Sequence, residues 1–127
     1  MGVGNSRPHK PGASLRTFRD VLPRAKVYGA DIDKDILFTE NPIETFQVDQ
    51  MKRSSFAQLG ADNRMFDLVI DDGLHSTVAN LNTLLWAMEH TNKGGYVVIE
   101  DIAVGHIDNW IVVDFIFQGP MAGRADG

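Results

Sequence analysis

Two apolar runs in this sequence end in carboxylates. Phe66, Asp67, Leu68, Val69 and Ile70 lead into Asp71, Asp72, Gly73, Leu74 and His75, and Tyr96, Val97, Val98 and Ile99 lead into Glu100 and Asp101. Strands that stop this way bring four acids and a histidine toward one place. Hard divalent cations such as Mg2+ take carboxylate and water oxygens as ligands. The chain has no cysteine, so any metal must be held by oxygen or imidazole, and a disulfide framework or cysteine nucleophile is excluded. His75 adds a side chain able to accept a proton near neutral pH. The plainer reading makes Asp71 and Asp72 turn and cap residues before a helix capped by Ser76, with Glu100 and Asp101 a solvated strand end. His9, His90 and His106 carry no such context.

Two further strand ends are polar. Val27, Tyr28, Gly29 and Ala30 run into Asp31, Ile32 and Asp33, and the alternation from Ile43 to Val48 ends at Asp49 and Gln50. In a nucleotide-binding parallel sheet, an acid at the first of these ends can accept hydrogen bonds from both hydroxyls of a ribose. Asp31 or Asp33 could equally cap a helix beginning near Lys34.

The elements that must position these groups alternate in type. Leu15, Phe18 and Leu22 fall at helical spacing after Ser14, which predicts a short capped helix stopped by Pro23. A brief helix is expected over 55–59. A longer one is expected from Ser76 to about His90, its core stripe made by Val78, Leu81, Leu84, Leu85 and Met88, with Trp86 off that stripe. Residues 92–95 read as a turn, and 107–117 as a helix. Short strands alternating with helices predict an α/β fold with a parallel sheet, whose ligands gather beyond the carboxyl ends of the strands.

Composition sets the outer bounds. The 127 residues make one domain's worth, with 43% hydrophobic and 23% charged residues, as in a globular protein. No stretch approaches the roughly 20 apolar residues of a membrane span and no secretory leader is evident, so a cytoplasmic location is expected. The net charge of -5 argues against nucleic-acid and anionic-membrane partners. The basic residues Arg7, Lys10, Arg16, Arg19, Arg24 and Lys26 read as a solvated face, since no aromatic residues interleave them for stacking.

The order of Gly2-Val3-Gly4, residues 27–33, Val48-Asp49-Gln50, residues 66–75 and residues 95–102 resembles the class I S-adenosylmethionine-dependent methyltransferases. More narrowly, it resembles the metal-dependent macrolide sugar O-methyltransferases and related cephalosporin-hydroxylase-like proteins. The resemblance covers roughly residues 1–103. It implies a Rossmann-like parallel sheet with flanking helices in a domain over 1–118, followed by a flexible tail over 119–127. It further implies Gly2 and Gly4 near the methionine portion of the cofactor, Asp31 on its ribose and Asp49 near its adenine, with Asp71 a cofactor-side or positioning acid. Asp72, Glu100 and Asp101 would bind Mg2+, and His75 would stand in the base position for a small-molecule hydroxyl acceptor; a homo-oligomer is left open. Leu74 departs from the family, where a small polar residue is common. The strand expected ahead of Gly2, between those ending at Asp31 and Asp71, is missing, as are the last two. The sequence thus predicts a fragment or truncated product that re-pairs its strands or uses a partner chain. Two other readings compete: a nicotinamide-dependent oxidoreductase fragment, which would want a fuller Gly-x-Gly-x-x-Gly, and a non-catalytic module retaining the fold.

Overall fold

A computed structural model describes the backbone of residues 10–121 and the side chains of 10–114. Gly2, Gly4 and His9, and the tail beyond Met121, lie outside the described residues. The elements run α1 (Ala13–Val21), β1 (Val27–Asp31), β2 (Thr39–Glu40), β3 (Ile43–Gln47), β4 (Phe66–Asp71), α2 (Thr77–His90), β5 (Thr91–Ile99) and α3 (Ile107–Met121), with short 3-10 turns between them. The fold is α/β, with parallel strand pairs and flanking helices, as the alternation of elements implies.

The strands form two sheets among the described residues, in the orders β1-β3-β2 and β4-β5. β1 runs parallel to β3 with Val27 opposite Ile43 and Asp31 opposite Gln47. β4 runs parallel to β5 with Leu68 opposite Tyr96 and Asp71 opposite Ile99. β1 and β4 do not pair, so the expected single sheet is divided among the described residues. Side chains join the halves instead. The ring of Tyr28 meets Phe46 at 6.2 Å and Phe66 at 5.4 Å, and Trp86 meets Phe66 at 5.5 Å and Phe56 at 5.4 Å. Val48, Phe56, Leu59, Trp86 and Ala87 form the buried centre of this cluster. Each large side chain buried there contributes roughly 1.5–3 kcal/mol by removal from water. No helix among the described residues is long and apolar enough to cross a membrane.

Three local expectations change. The buried residues of α2 are Ala79, Asn80, Thr83, Trp86 and Ala87, whereas Val78, Leu85 and Met88 are exposed. The helix therefore presents the face centred on Trp86, away from the expected stripe. Ser14 lies inside α1; the cap position is Gly12, at φ 88, where a Cβ would collide with the Phe38 ring. Residues 92–95 form a wide irregularity within β5, because Thr91 pairs with Phe66 and the next pair is Tyr96 with Leu68.

α1 packs through Leu15 on Val27 and Ile43, and a Cβ on Gly29 would lie 2.5 Å from Leu15 Cδ1, so a larger residue there would make the leucine shift. Glu40 of β2 ties the helix down by accepting from Arg16 Nε at 2.8 Å and Arg19 Nη1 at 3.1 Å. The hydrogen bond from Arg16 holds the Glu40 carboxyl below the usual carboxylate range, against an opposing desolvation effect. A depressed carboxylate contributes stability above its unfolded pKa and loses it as pH falls through the folded value. Glu40→Gln is thus expected to flatten the acid limb of the melting profile as pH falls through and below the ordinary glutamate range, by a small amount as befits an exposed pair. An unchanged acid limb in thermal melts would show that the contact is immaterial.

Candidate functional site

β4 delivers its acids through a turn held from several sides. Asp71 is 4% exposed, and its Oδ1 accepts from Gln50 Nε2 at 2.9 Å and from Gly73 N at 3.1 Å. Its Oδ2 accepts from Asn80 Nδ2 at 2.9 Å. The carboxylate is thus engaged by the chain's own donors, which hold the turn after β4. Ser76 closes the turn as the cap of α2, accepting from Ala79 N at 3.5 Å. Asp72 and His75, on either side of Gly73 and Leu74, remain exposed.

β5 brings its own acids alongside. Glu100 N donates to Asp71 O at 2.8 Å, extending the ladder by one bond so that the two strand ends are level. Asp101 follows at φ 54, in the left-handed region. Ligand atoms of Asp72, His75 and Asp101 all lie within 4.8 Å of one another. An ion with ligand bonds of about 2.1 Å spans roughly 4 Å between opposite donors, so a small side-chain rotation lets one ion meet all three. Two carboxylates suit a hard divalent cation, with water completing the shell, and the imidazole stands beside them. Glu100 stays outside this group and His75 stands inside it, which differs from the ligand set that the resemblance implied.

The backbone of Asp101 gives a prediction of its own. Asp, Asn and Gly tolerate the left-handed region, but an alanine there costs roughly 1–2 kcal/mol. Thermal melts should rank Asp101→Gly and Asp101→Asn close to the parent and Asp101→Ala below them. Equal melting of all three would mean that this backbone conformation is not held in solution.

On the other sheet, Asp31 is half-buried and its Oδ1 accepts from Asp33 N at 2.9 Å. Asp33 is the helix cap, accepting from Asp35 N at 2.9 Å. The cap reading therefore settles on Asp33 and leaves Asp31 at the strand end. Asp49 Oδ1 accepts from Met51 N at 3.0 Å, and Asp49 N donates to Ser55 Oγ at 3.0 Å, which shapes the loop after β3. A cavity of about 250 Å³ opens elsewhere, beside Phe56, Gly60, Trp86 and His90, and includes none of the clustered acids. Asn80 and Thr83 were not singled out in the sequence, and Gln50 was named there only as part of a polar strand end. The one available signal was their placement, polar residues next to a strand end or on the inner face of a helix.

No family model matches the chain. Over 103 residues, 80% of the chain, it is 34% identical to mycinamicin VI 2''-O-methyltransferase of Micromonospora griseorubida and covers 26% of that protein. It is 33% identical over 103 residues to demethylmacrocin O-methyltransferase of Streptomyces fradiae, again 80% of the chain and 26% of the relative. The MycE methyltransferase from the mycinamycin biosynthetic pathway, solved in complex with Mg and SAH, superposes with a TM-score of 0.68 at 31% identity. That match covers 86% of this chain and 28% of that one. The chain spans about a quarter of the length of these curated relatives.

Proposed function

We propose, since the chain is a relative of macrolide and polyketide sugar O-methyltransferases, that it serves a metal-assisted methyl transfer from S-adenosylmethionine to a hydroxyl of a glycosylated small molecule. The observation that carries this is the convergence of Asp72, His75 and Asp101 from two strand ends. Asp72 and Asp101 hold a divalent ion, with Glu100 near enough in sequence to join them. The ion, when bound, supplies a Lewis acid that lowers the pKa of the acceptor hydroxyl and fixes its place. Asp31 accepts from the ribose hydroxyls of the methyl donor, and Asp49 lies toward its base.

S-adenosylmethionine supplies a methyl carbon on a positively charged sulfur. The acceptor oxygen forms the new bond to that carbon as the carbon–sulfur bond breaks, and the electron pair stays on sulfur. His75 takes the hydroxyl proton, which an alcohol must lose to be a useful nucleophile. The level strand ends limit the freedom of these groups before substrate arrives, which is the main contribution a rigid scaffold makes.

The test is transfer of labelled methyl from S-adenosylmethionine to a panel of glycosylated macrolides and aromatic polyketides. Label should appear in an acceptor with Mg2+ present, vanish with EDTA, and fall about 100-fold or more in His75→Ala, the range typical of a lost general base. Transfer that is indifferent to EDTA would overturn the metal-assisted reading. Absence of transfer to every acceptor would favour a non-catalytic module.

A further inference from the structure

We infer that Gln50 is a positioning residue that clamps the metal-side turn to the cofactor-side loop, an inference that rests on the function proposed above. Gln50 directly follows Asp49 after β3, yet its side chain reaches the turn after β4. Its Nε2 donates to Asp71 Oδ1 at 2.9 Å and to Thr83 Oγ1 at 2.9 Å, and its Oε1 accepts from Leu74 N at 2.8 Å. Its backbone carbonyl accepts from Asn82 Nδ2 at 2.8 Å. Both amide hydrogens and the amide oxygen are therefore in use, and the orientation is unique. Turning the amide over would set its oxygen against the Asp71 carboxylate and its NH2 against the Leu74 N–H.

The consequence concerns Asp72 and His75. Each is exposed and sits on a turn anchored through Asp71 and Leu74, the two residues that Gln50 holds. β1 and β3 share no ladder with β4, so this amide is a polar bridge between the two sheets where backbone pairing is lacking. Gly73 bears out the closeness, since a Cβ there would fall on Gln50 Oε1 and within 2.9 Å of its Cδ. A side chain at Gly73 would thus displace the Gln50 amide from the turn. Side chains that orient metal ligands from outside typically change metal affinity by about 10–100-fold when removed.

The experiment compares the full chain with Gln50→Met, Gly73→Ala and the core control Leu59→Ala, all below their melting temperatures. The Mn2+ dissociation constant is read from the paramagnetic resonance of the free ion, and turn rigidity from hydrogen exchange at the Leu74 amide. Gln50→Met and Gly73→Ala should each weaken Mn2+ binding about 10-fold or more and speed Leu74 exchange, while Leu59→Ala stays within roughly twofold on both. Mn2+ binding in Gln50→Met within roughly twofold of the parent, or an equal loss in Leu59→Ala, overturns the inference. If the parent chain takes up no Mn2+, the metal reading falls by itself. The clamp is then decided at the Leu74 amide, where unchanged protection in Gln50→Met refutes it.

Discussion

Asp72→Asn should abolish divalent-ion binding while leaving the fold untouched. The side chain is exposed, and the backbone at this point is fixed by its neighbours: Gly73 N donates to Asp71 and Leu74 N to Gln50. A substitution on such a site ordinarily changes stability by no more than about 0.5 kcal/mol. The amide keeps the shape of the carboxylate but gives up its charge, which is what a hard cation requires of its ligand. Loss of Mn2+ affinity by at least about 100-fold is expected, the upper end of what even outer-shell changes produce. Calorimetric titration measures it, with circular dichroism verifying the fold. Retained affinity would remove Asp72 from the ligand set and with it the central member of the cluster. The same titration on Glu100→Gln decides whether that residue joins the shell, as the resemblance implied.

Trp86→Ala is expected to be the most damaging single substitution in α2. Trp86 is 7% exposed and touches Phe56 and Phe66, while its ring stacks on His90 at 4.8 Å. Truncating it should cost about 3–5 kcal/mol through lost burial and the cavity left behind. That is a large share of the roughly 5–15 kcal/mol typical of a domain. Leu85 is 37% exposed, and Leu85→Ala should cost less than about 1 kcal/mol. Urea unfolding of the two variants reads the difference directly. The opposite ranking would restore the stripe of Val78, Leu81, Leu84, Leu85 and Met88 as the core face.

The reversal of that face shows what sequence could and could not reveal. Strand existence was legible because residues 68–70 and 96–99 are continuous apolar runs that end in polar residues, and Ser76 marks the start of α2 by its capping chemistry. The face of α2 was not legible, because two overlapping stripes are both apolar enough to be core. What selects between them is polar: Asn80 and Thr83 are drawn inward by Asp71 and Gln50, partners distant in sequence. A pattern argument assigns Asn and Thr to solvent and so turns the helix the wrong way.

The candidate site divides in the same manner. That acids gather at strand ends could be read, since parallel strands place their carboxyl ends on one side. Which acid faces outward could not, because Asp71 and Asp72 are adjacent and identical, and only the donors around Asp71 assign it to the interior. The left-handed backbone of Asp101 and the exclusion of Glu100 from the cluster likewise depend on how β5 ends. The resemblance implied a gap between β1 and β4 and left re-pairing open; the described strands stay in two sheets, and how the halves are joined was not legible. Aromatic packing through Tyr28, Phe66 and Trp86, with the Gln50 amide at the rim, takes over part of the joining that a ladder would do.

The central claim is that these strand ends hold a sulfonium-type methyl donor and a divalent ion together. Isothermal titration of the chain with S-adenosylhomocysteine, and separately with NAD, each with and without Mg2+, tests it most directly. The account predicts saturable one-site binding of S-adenosylhomocysteine, Mg2+ binding that Asp72→Asn removes, and no heat from NAD. Binding of NAD without S-adenosylhomocysteine, or silence with both nucleotides, would contradict it.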